Sequence, residues 1–471
     1  MTESRRAGKG ARATQDAGAS VVSEVTRALS EYVATALARP LPHEVAEKTE
    51  HHLLDTLAAA IAGSRLRPGR MAIAYARAQG GRRQATVLGS RIVTSAVTAA
   101  QANGMCAHAD ESDDSHVRGR FHPGCAVVPA ALAAAELAGR NGPSLLRAVA
   151  LGYDVGARFV RALGLGRTYG RAHSTHSLGG LFGAWAAAAA LLGLEARQVR
   201  FALSYTVQQA SGLAYWMRDP DHVEKAFDFG GMPARGGMAA AAMAAAGFTG
   251  VEDPLTGPRT FFEAFAENAR QGALVEDLGS RFEIMDATIK KWTCGSPIQA
   301  ALDALDALMR EHGIGADEVA SLTVRLPDDR AHLVDDRDMP GVCVQHLLAV
   351  LLLDGALGSH AAHDVARMRA PDVANLRRRI TLVPDSGLTK ARPPRQAIVE
   401  IATRDGRALA RRTRAVRGTP DNPMDRAEVE AKAQHLTAPV LGPERARALV
   451  EQVRAIERVE DILAVRPLLQ G

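Results

Sequence analysis

Between Asn103 and Pro123 the chain reads Asn-Gly-Met-Cys-Ala-His-Ala-Asp-Glu-Ser-Asp-Asp-Ser-His, and six residues later His122-Pro123 ends the segment. Three histidines (His108, His116, His122) and four carboxylates (Asp110, Glu111, Asp113, Asp114) are thereby held between two apolar stretches. Imidazoles and carboxylates together supply general acids, general bases and the means to tune them. Two other readings use the same residues. One is a solvated acidic loop with incidental histidines. The other is a ligand set for zinc, manganese or iron, although no histidine pair at i and i+4 supports it. Asp110-x-Ser112-x-Asp114 is not a calcium loop, because Ser115 and Phe121 stand where such a loop needs glycine and glutamate.

Motifs for bound cofactors are missing. There is no Gly-x-x-x-x-Gly-Lys-Ser/Thr loop and no Gly-x-Ser-x-Gly elbow. Gly164 to Gly170 has one residue too many for a dinucleotide loop and lies among helical segments. The four cysteines (Cys106, Cys125, Cys294, Cys343) form no Cys-x-x-Cys pair, which argues against structural zinc and suits a reducing cytoplasm. Chemistry without metal or organic cofactor is the expectation.

The 103–123 segment resembles the signature of the MmgE/PrpD family, roughly Asn-Gly-x-x-x-His-x-x-Asp-x-Asp-Asp-x-His followed by His-Pro. The likeness extends from about residue 25 to 465. It includes the Gly/Ala-rich helix after His173, the Lys225…Gly230…Gly236 segment and Lys290-Lys291-Trp292. Leu353-Asp354-Gly355 and Gly418-x-Pro-x-Asn-Pro423 follow in the same order. The resemblance implies a helical domain joined to a smaller α+β lid, a homodimer, and small di- or tricarboxylate substrates. It also implies cofactor-free proton transfer beside a carboxylate.

The resemblance places Glu111, Ser115 and His122 in the site, with His122 foremost as general acid or base. His108 joins them as a substrate-binding candidate. The family's histidine ahead of the Gly/Ala-rich helix corresponds to His173 or His176, with His173 preferred; a cluster of this kind is equally an ordinary helix cap. Lys225, amid Phe227 and Phe229, reads as a carboxylate clamp or proton donor. Asp228 stands where the family often has histidine, and either meets substrate or pairs with Lys225. In the lid, Lys290 matches a family lysine, and Lys291 or Arg218 offers further cations. Gly295 and Gln299 replace usual histidines, Gln299 being kept as a substrate contact. His346 replaces a tyrosine and is either catalytic or a satisfied core histidine.

These groups need a scaffold. Apolar residues recur with helical spacing in Val22–Ala38, Val45–Ala62, Ala126–Ala138, Leu145–Ala162, Gly179–Leu192, Val199–Gln209 and Gly236–Ala246. Period-two alternation appears only later, at Val319–Leu326 and in a hairpin from Ala397 to Thr413 turned at Asp405-Gly406. An apolar helix, Val344–Leu357, lies between them. The expected fold is mainly α: a helical domain over 21–279 and 426–471, an α+β lid over 280–425, and a mobile basic tail over 1–20. With aromatics at 4%, helices must pack through alanine and glycine.

Composition narrows function further. The chain has 471 residues, 47% of them hydrophobic and 23% charged, as in ordinary globular enzymes. Its net charge of +5 is mild, and no basic stripe is interleaved with aromatics, so nucleic-acid binding is not expected. No apolar run reaches membrane-spanning length, and no signal peptide precedes the first helix; a cytoplasmic enzyme is expected. The reading is a hydro-lyase for a hydroxy-polycarboxylate such as 2-methylcitrate. The alternatives are an isomerase or decarboxylase on the same scaffold, and a non-catalytic carboxylate-binding protein.

Overall fold

The computed structural model describes residues 22–165 and 173–471. The expected tail over 1–20, and Gly164–Gly170 beyond residue 165, lie outside the described residues. The protein is mainly helical, with a smaller mixed sheet, and has two apolar cores. The larger core gathers residues from Leu29 to Ile289 and, from the end of the chain, Val429 to Leu469. The smaller gathers residues from Trp292 to Val416. No helix among the described residues is long and apolar enough to cross a membrane.

The helices follow the apolar periodicity: His43–Gly63, Gly124–Ala138, Gly142–Ala162, Thr175–Leu191 and Ala196–Gln208. Side-chain caps mark the starts of only some of them. Asn141, for example, accepts the Ser144 amide at 2.9 Å before Gly142–Ala162. Three of the longer helices escaped the periodicity, Arg67–Gln79, Ala96–Ala107 and, in the lid, Gln299–His312. The second is buried nearly all round, so it has no polar face to set a period.

The helix Met232–Ala245 is preceded by a widened, π-type turn, Phe227–Gly231. Its cause is Pro233, which has no N–H to give the Phe229 carbonyl and whose ring crowds that oxygen. The Cys125 thiol takes up the freed carbonyl at 3.4 Å. Backbone crosses backbone here: a Cβ on Gly104 would collide with the Gly230 carbonyl.

The lid sheet runs Ile380–Asp385, Val319–Pro327, Ala397–Thr403, Ala408–Thr413 from edge to edge. The last two strands form the expected antiparallel hairpin, with Ala402 opposite Ala408. Ile380–Asp385 was not expected; it lies parallel to Val319–Pro327 and is too exposed to alternate cleanly. The helix Val344–Asp354 ends at Gly355, whose φ is +70°. After the lid, Arg426–Leu441 and Pro443–Arg454 return to the larger core.

A two-stranded ribbon lies in the larger core, just before the chain leaves it for the lid. Ser115–His116 pairs with Ala287–Thr288, Ser115 facing Thr288. Two residues further on is Lys290, so the polar loop and the lid-side lysine share one backbone connection.

Candidate active site

The 108–123 loop connects Ala96–Ala107 to Gly124–Ala138 and is buried through most of its length. That replaces the reading of a solvated acidic loop. Asp110, Glu111, Asp113 and Asp114 are each at most 5% exposed, and buried carboxylates must be paired.

Asp113 has no solvent exposure and receives two imidazoles on one oxygen. His108 Nδ1 lies 2.9 Å and His122 Nδ1 3.1 Å from its Oδ2. Burial raises the Asp113 carboxyl, but His108, His122 and Lys290 together hold it well below the ordinary carboxylate range. An ionised carboxylate only accepts hydrogen bonds, so both histidines present Nδ1–H to it. Burial pulls His122 down to about 4, against the pull of Asp113. His122 therefore rests as a neutral imidazole with a free lone pair, the form of a general base.

Glu111 has φ +63°, a conformation costly for a residue with a side chain. Its carboxylate is ion-paired with the Lys225 ammonium. Lys290 Nζ lies 3.6 Å from Glu111 Oε2, 3.6 Å from Asp113 Oδ1 and 2.6 Å from the Glu111 carbonyl. Burial raises the Glu111 carboxyl, yet Lys225 and Lys290 outweigh it and hold the group well below its usual range. Conversely, Asp113 and Glu111 raise the Lys290 ammonium despite its burial. Two ammonium groups thus converge on one carboxylate beside a bare imidazole.

Aromatic faces close the site. The Phe229 ring, carried on the widened turn, stacks on His108 at 4.2 Å and on His176 at 3.8 Å between centroids. The Lys225 ammonium lies over both Phe229 and Trp216, at 5.1 and 5.2 Å. Glu111 also lines a cleft of about 650 Å³ between the helical domain and the lid, together with Arg218, Arg337 and His363.

Behind the loop lies a second buried network. His52 Nδ1 meets Asp114 Oδ2 at 2.7 Å, and Gly124 N donates to Asp114 Oδ1 at 2.9 Å. Lys432, from the returning C-terminal helix, reaches Asp55 at 2.6 Å and the Ser112 carbonyl at 2.9 Å. His116 is likewise structural: it accepts the Gly119 amide and donates Nε2–H to the Glu283 carbonyl.

The structure brings His122, His108, Glu111, Lys225 and Lys290 together. His108 has no exposure, and its Nδ1 is held by Asp113. His176, not His173, joins the cluster, its ring 5.4 Å from that of His122. His173 packs on Phe265 at 4.8 Å, because its backbone bridges to Leu213 ahead of the helix start. Asp228 accepts from Ser174 Oγ at 2.5 Å and does not pair with Lys225; burial raises its carboxyl to about 7. Gln299 spends its amide on the backbone of Trp292 and Cys294, which shapes the turn after Lys290. Lys291 is held by Asp306 at 3.0 Å on the lid. His346 sits in the lid interior, its Nε2 3.4 Å from the Ala361 carbonyl; it is a core histidine there. Ser115 Oγ is met by the lid's Arg395 at 3.4 Å, and lies across the ribbon from Thr288.

Sequence reasoning passed over His222, Arg395, His52 and Lys432. His52 and Lys432 sit within helices far away in the chain, and nothing local marks them. His222 and Arg395 stand in proline-containing turns, Asp-Pro-Asp-His and Arg-Pro-Pro-Arg, which read as connectors. Their positive φ values, 59° and 68°, are visible only in the fold.

His108, Glu111 and His222 also bring ligand atoms within reach of one shared cation. Lys225 and Lys290 already neutralise Glu111, and their charge opposes a divalent ion at that point.

The family model of the MmgE/PrpD N-terminal domain matches residues 27–272, and that of the C-terminal domain matches 292–458. The chain is similar to cis-aconitate decarboxylase of Homo sapiens, 24% identical over 451 residues, covering 92% of this chain and 91% of that one. It is similar to cis-aconitate decarboxylase of Aspergillus terreus (strain NIH 2624 / FGSC A1156), 23% identical over 495 residues, covering 97% and 98%. It also resembles a cis-aconitate decarboxylase-like protein of Aspergillus oryzae (strain ATCC 42149 / RIB 40), 24% identical over 488 residues, covering 95% and 97%. With more than half its length matched by the N-terminal model alone, the chain belongs to the MmgE/PrpD family.

Proposed function

We propose that this protein is a cofactor-independent lyase that removes CO2 from a small unsaturated tricarboxylate of the cis-aconitate type. The observation that carries this reading is the convergence of Lys225 and Lys290 on Glu111 beside the His122–Asp113 pair. The relatives named for cis-aconitate decarboxylation support the choice of reaction.

The steps follow from the groups present. Lys225 and Lys290 hold substrate carboxylates by charge-assisted hydrogen bonds, and the lid's Arg395, which has no acidic partner among the described residues, holds another. Breaking the carbon–CO2 bond leaves an electron pair that spreads over the allylic system towards a remaining carboxylate. The two ammonium groups stabilise that dienolate-like charge in a water-poor site. A proton then returns to carbon from His122, whose pKa rises when a polyanion binds beside it. The products are CO2 and an unsaturated dicarboxylate.

A second reading is loss of water from a hydroxy-polycarboxylate such as 2-methylcitrate. It is favoured by the resting state of His122, a base suited to removing an α-proton. One experiment separates the two. Purified protein is incubated with cis-aconitate, citrate and 2-methylcitrate, with and without EDTA, and followed by proton NMR and CO2 release. Decarboxylation of cis-aconitate, unchanged by EDTA, establishes the first reading. Dehydration of a hydroxy acid without CO2 release establishes the second. No conversion of any acid overturns both. Light scattering of the same sample tests the homodimer expected from the family resemblance.

A further inference from the structure

His122 accounts for one proton-transfer group, and the two candidates for a second, His173 and His346, stand elsewhere. The cleft supplies one. His222 lines the same cleft as Glu111 and Arg218, is 7% exposed, and stacks on His108 with ring centroids 5.2 Å apart. Its Nε2 lies 3.0 Å from the His108 carbonyl and 3.8 Å from Glu111 Oε1. A carbonyl only accepts, so Nε2 carries the proton and Nδ1 is the ring nitrogen left for a ligand in the cleft.

The chain holds this ring at a conformational cost. His222 has φ +59° and ψ 13°, a left-handed conformation that residues with side chains avoid. It sits just before the short helix Val223–Ala226, which carries Lys225. The turn is fastened by Asp219, which accepts the amides of Asp221 and Lys225, both at 3.0 Å. One turn therefore fixes the imidazole and the ammonium together. From the lid, His363 lines the facing wall, its own Nε2 given to the Thr293 carbonyl at 2.9 Å.

We propose that His222 is a catalytic proton-transfer residue of this site, exchanging a proton between Nδ1 and the substrate carbon on the cleft side. This rests on the polycarboxylate-lyase reading above. In decarboxylation the carbon–CO2 electron pair passes into the allylic carbanion. A bound polyanion raises the imidazole's pKa, so Nδ1 first takes a proton from solvent in the cleft; that Nδ1–H of His222, in place of His122, then protonates the carbon on the cleft side and leaves the neutral imidazole. In dehydration the same nitrogen gives its proton to the departing hydroxyl, while His122 takes the proton from carbon. Dehydration uses both imidazoles, whereas decarboxylation needs one proton, which His222 supplies.

Two variants test the role. Asparagine tolerates the left-handed conformation and its amide still reaches a carbonyl, but it transfers no proton. His222→Asn is expected to bind the inert tricarboxylate tricarballylate within about threefold of wild type by calorimetry, while turnover falls by ~10²-fold or more. Glycine adopts the same φ without strain. His222→Gly is expected to be equally slow and to regain turnover when free imidazole is added. Wild-type-like turnover of His222→Asn, or a slow His222→Gly that imidazole does not rescue, overturns the proton-transfer role and leaves the lyase reading standing. A wild type inert towards every acid of the panel overturns the lyase reading and this role with it.

Discussion

The Lys290 ammonium donates to the backbone carbonyl of Glu111 at 2.6 Å, across 179 residues of chain. Lys290 is 1% exposed. It neutralises Glu111 and Asp113 while fixing the strained backbone that presents them. Removing it leaves two carboxylates buried with less compensation. Lys290→Met is expected to lower stability by about 3–5 kcal/mol in urea unfolding. In the double variant with Glu111→Gln the loss should be smaller than the sum of the two single losses. Additive losses would show that the two groups do not communicate.

The histidines make stability depend on pH. Burial pulls His51, His52, His122 and His346 down to about 4 from an unperturbed 6.5. It lowers His116, His176 and His222 as well. Between those values the unfolded chain binds protons that the folded chain refuses, so stability is lost as pH falls below about 6.5. Asp55 and Asp228, raised by burial to about 6 and about 7, act in the opposite direction, as do Glu50, Asp154 and Asp303. The seven histidines outnumber them. Thermal melts should give a Tm that falls from about pH 6.5 to about pH 5. A flat or rising Tm over that range would contradict the neutral buried imidazoles.

His122→Gln keeps a polar side chain of similar reach beside Asp113 but removes the base. Turnover should drop by at least ~10²-fold, with tricarballylate affinity changed only a few fold. An unchanged turnover would remove His122 from the chemistry.

Arg395 is a lid cation with no carboxylate partner among the described residues, placed against Ser115. Arg395→Gln should weaken tricarballylate binding by about tenfold, the worth of one charge-assisted hydrogen bond. Succinate, with one carboxylate fewer, should be affected less. Equal effects on both ligands would place Arg395 outside the substrate's reach.

His346 tests the correction made by the fold. In the lid interior it touches the Ala361 carbonyl and leaves Nδ1 unpartnered. His346→Leu removes a buried polar ring from an apolar helix, so turnover should stay within about threefold of wild type. A hundredfold loss with unchanged Tm would return His346 to the site.

Much of this was present in the order of residues alone. The 103–123 segment carries its acids and bases close together because the loop itself is the site, so local spacing already displayed the chemistry. Lys225 and Lys290 could be placed by register with the family pattern. Most helices with one polar face were legible, since half-burial imposes a period, though Arg67–Gln79 and Gln299–His312 were not; the fully buried Ala96–Ala107 was not legible either, because uniform burial erases the period. The tertiary structure decided the rest. Whether His173 or His176 meets His122 depends on where a helix begins, and whether Asp228 faces Lys225 or Ser174 depends on a widened turn set by Pro233. Glu111 was legible as a carboxylate, but only the fold could bring Lys290 and the His222 turn to it, because contacts between residues distant in the chain leave no periodic trace in it.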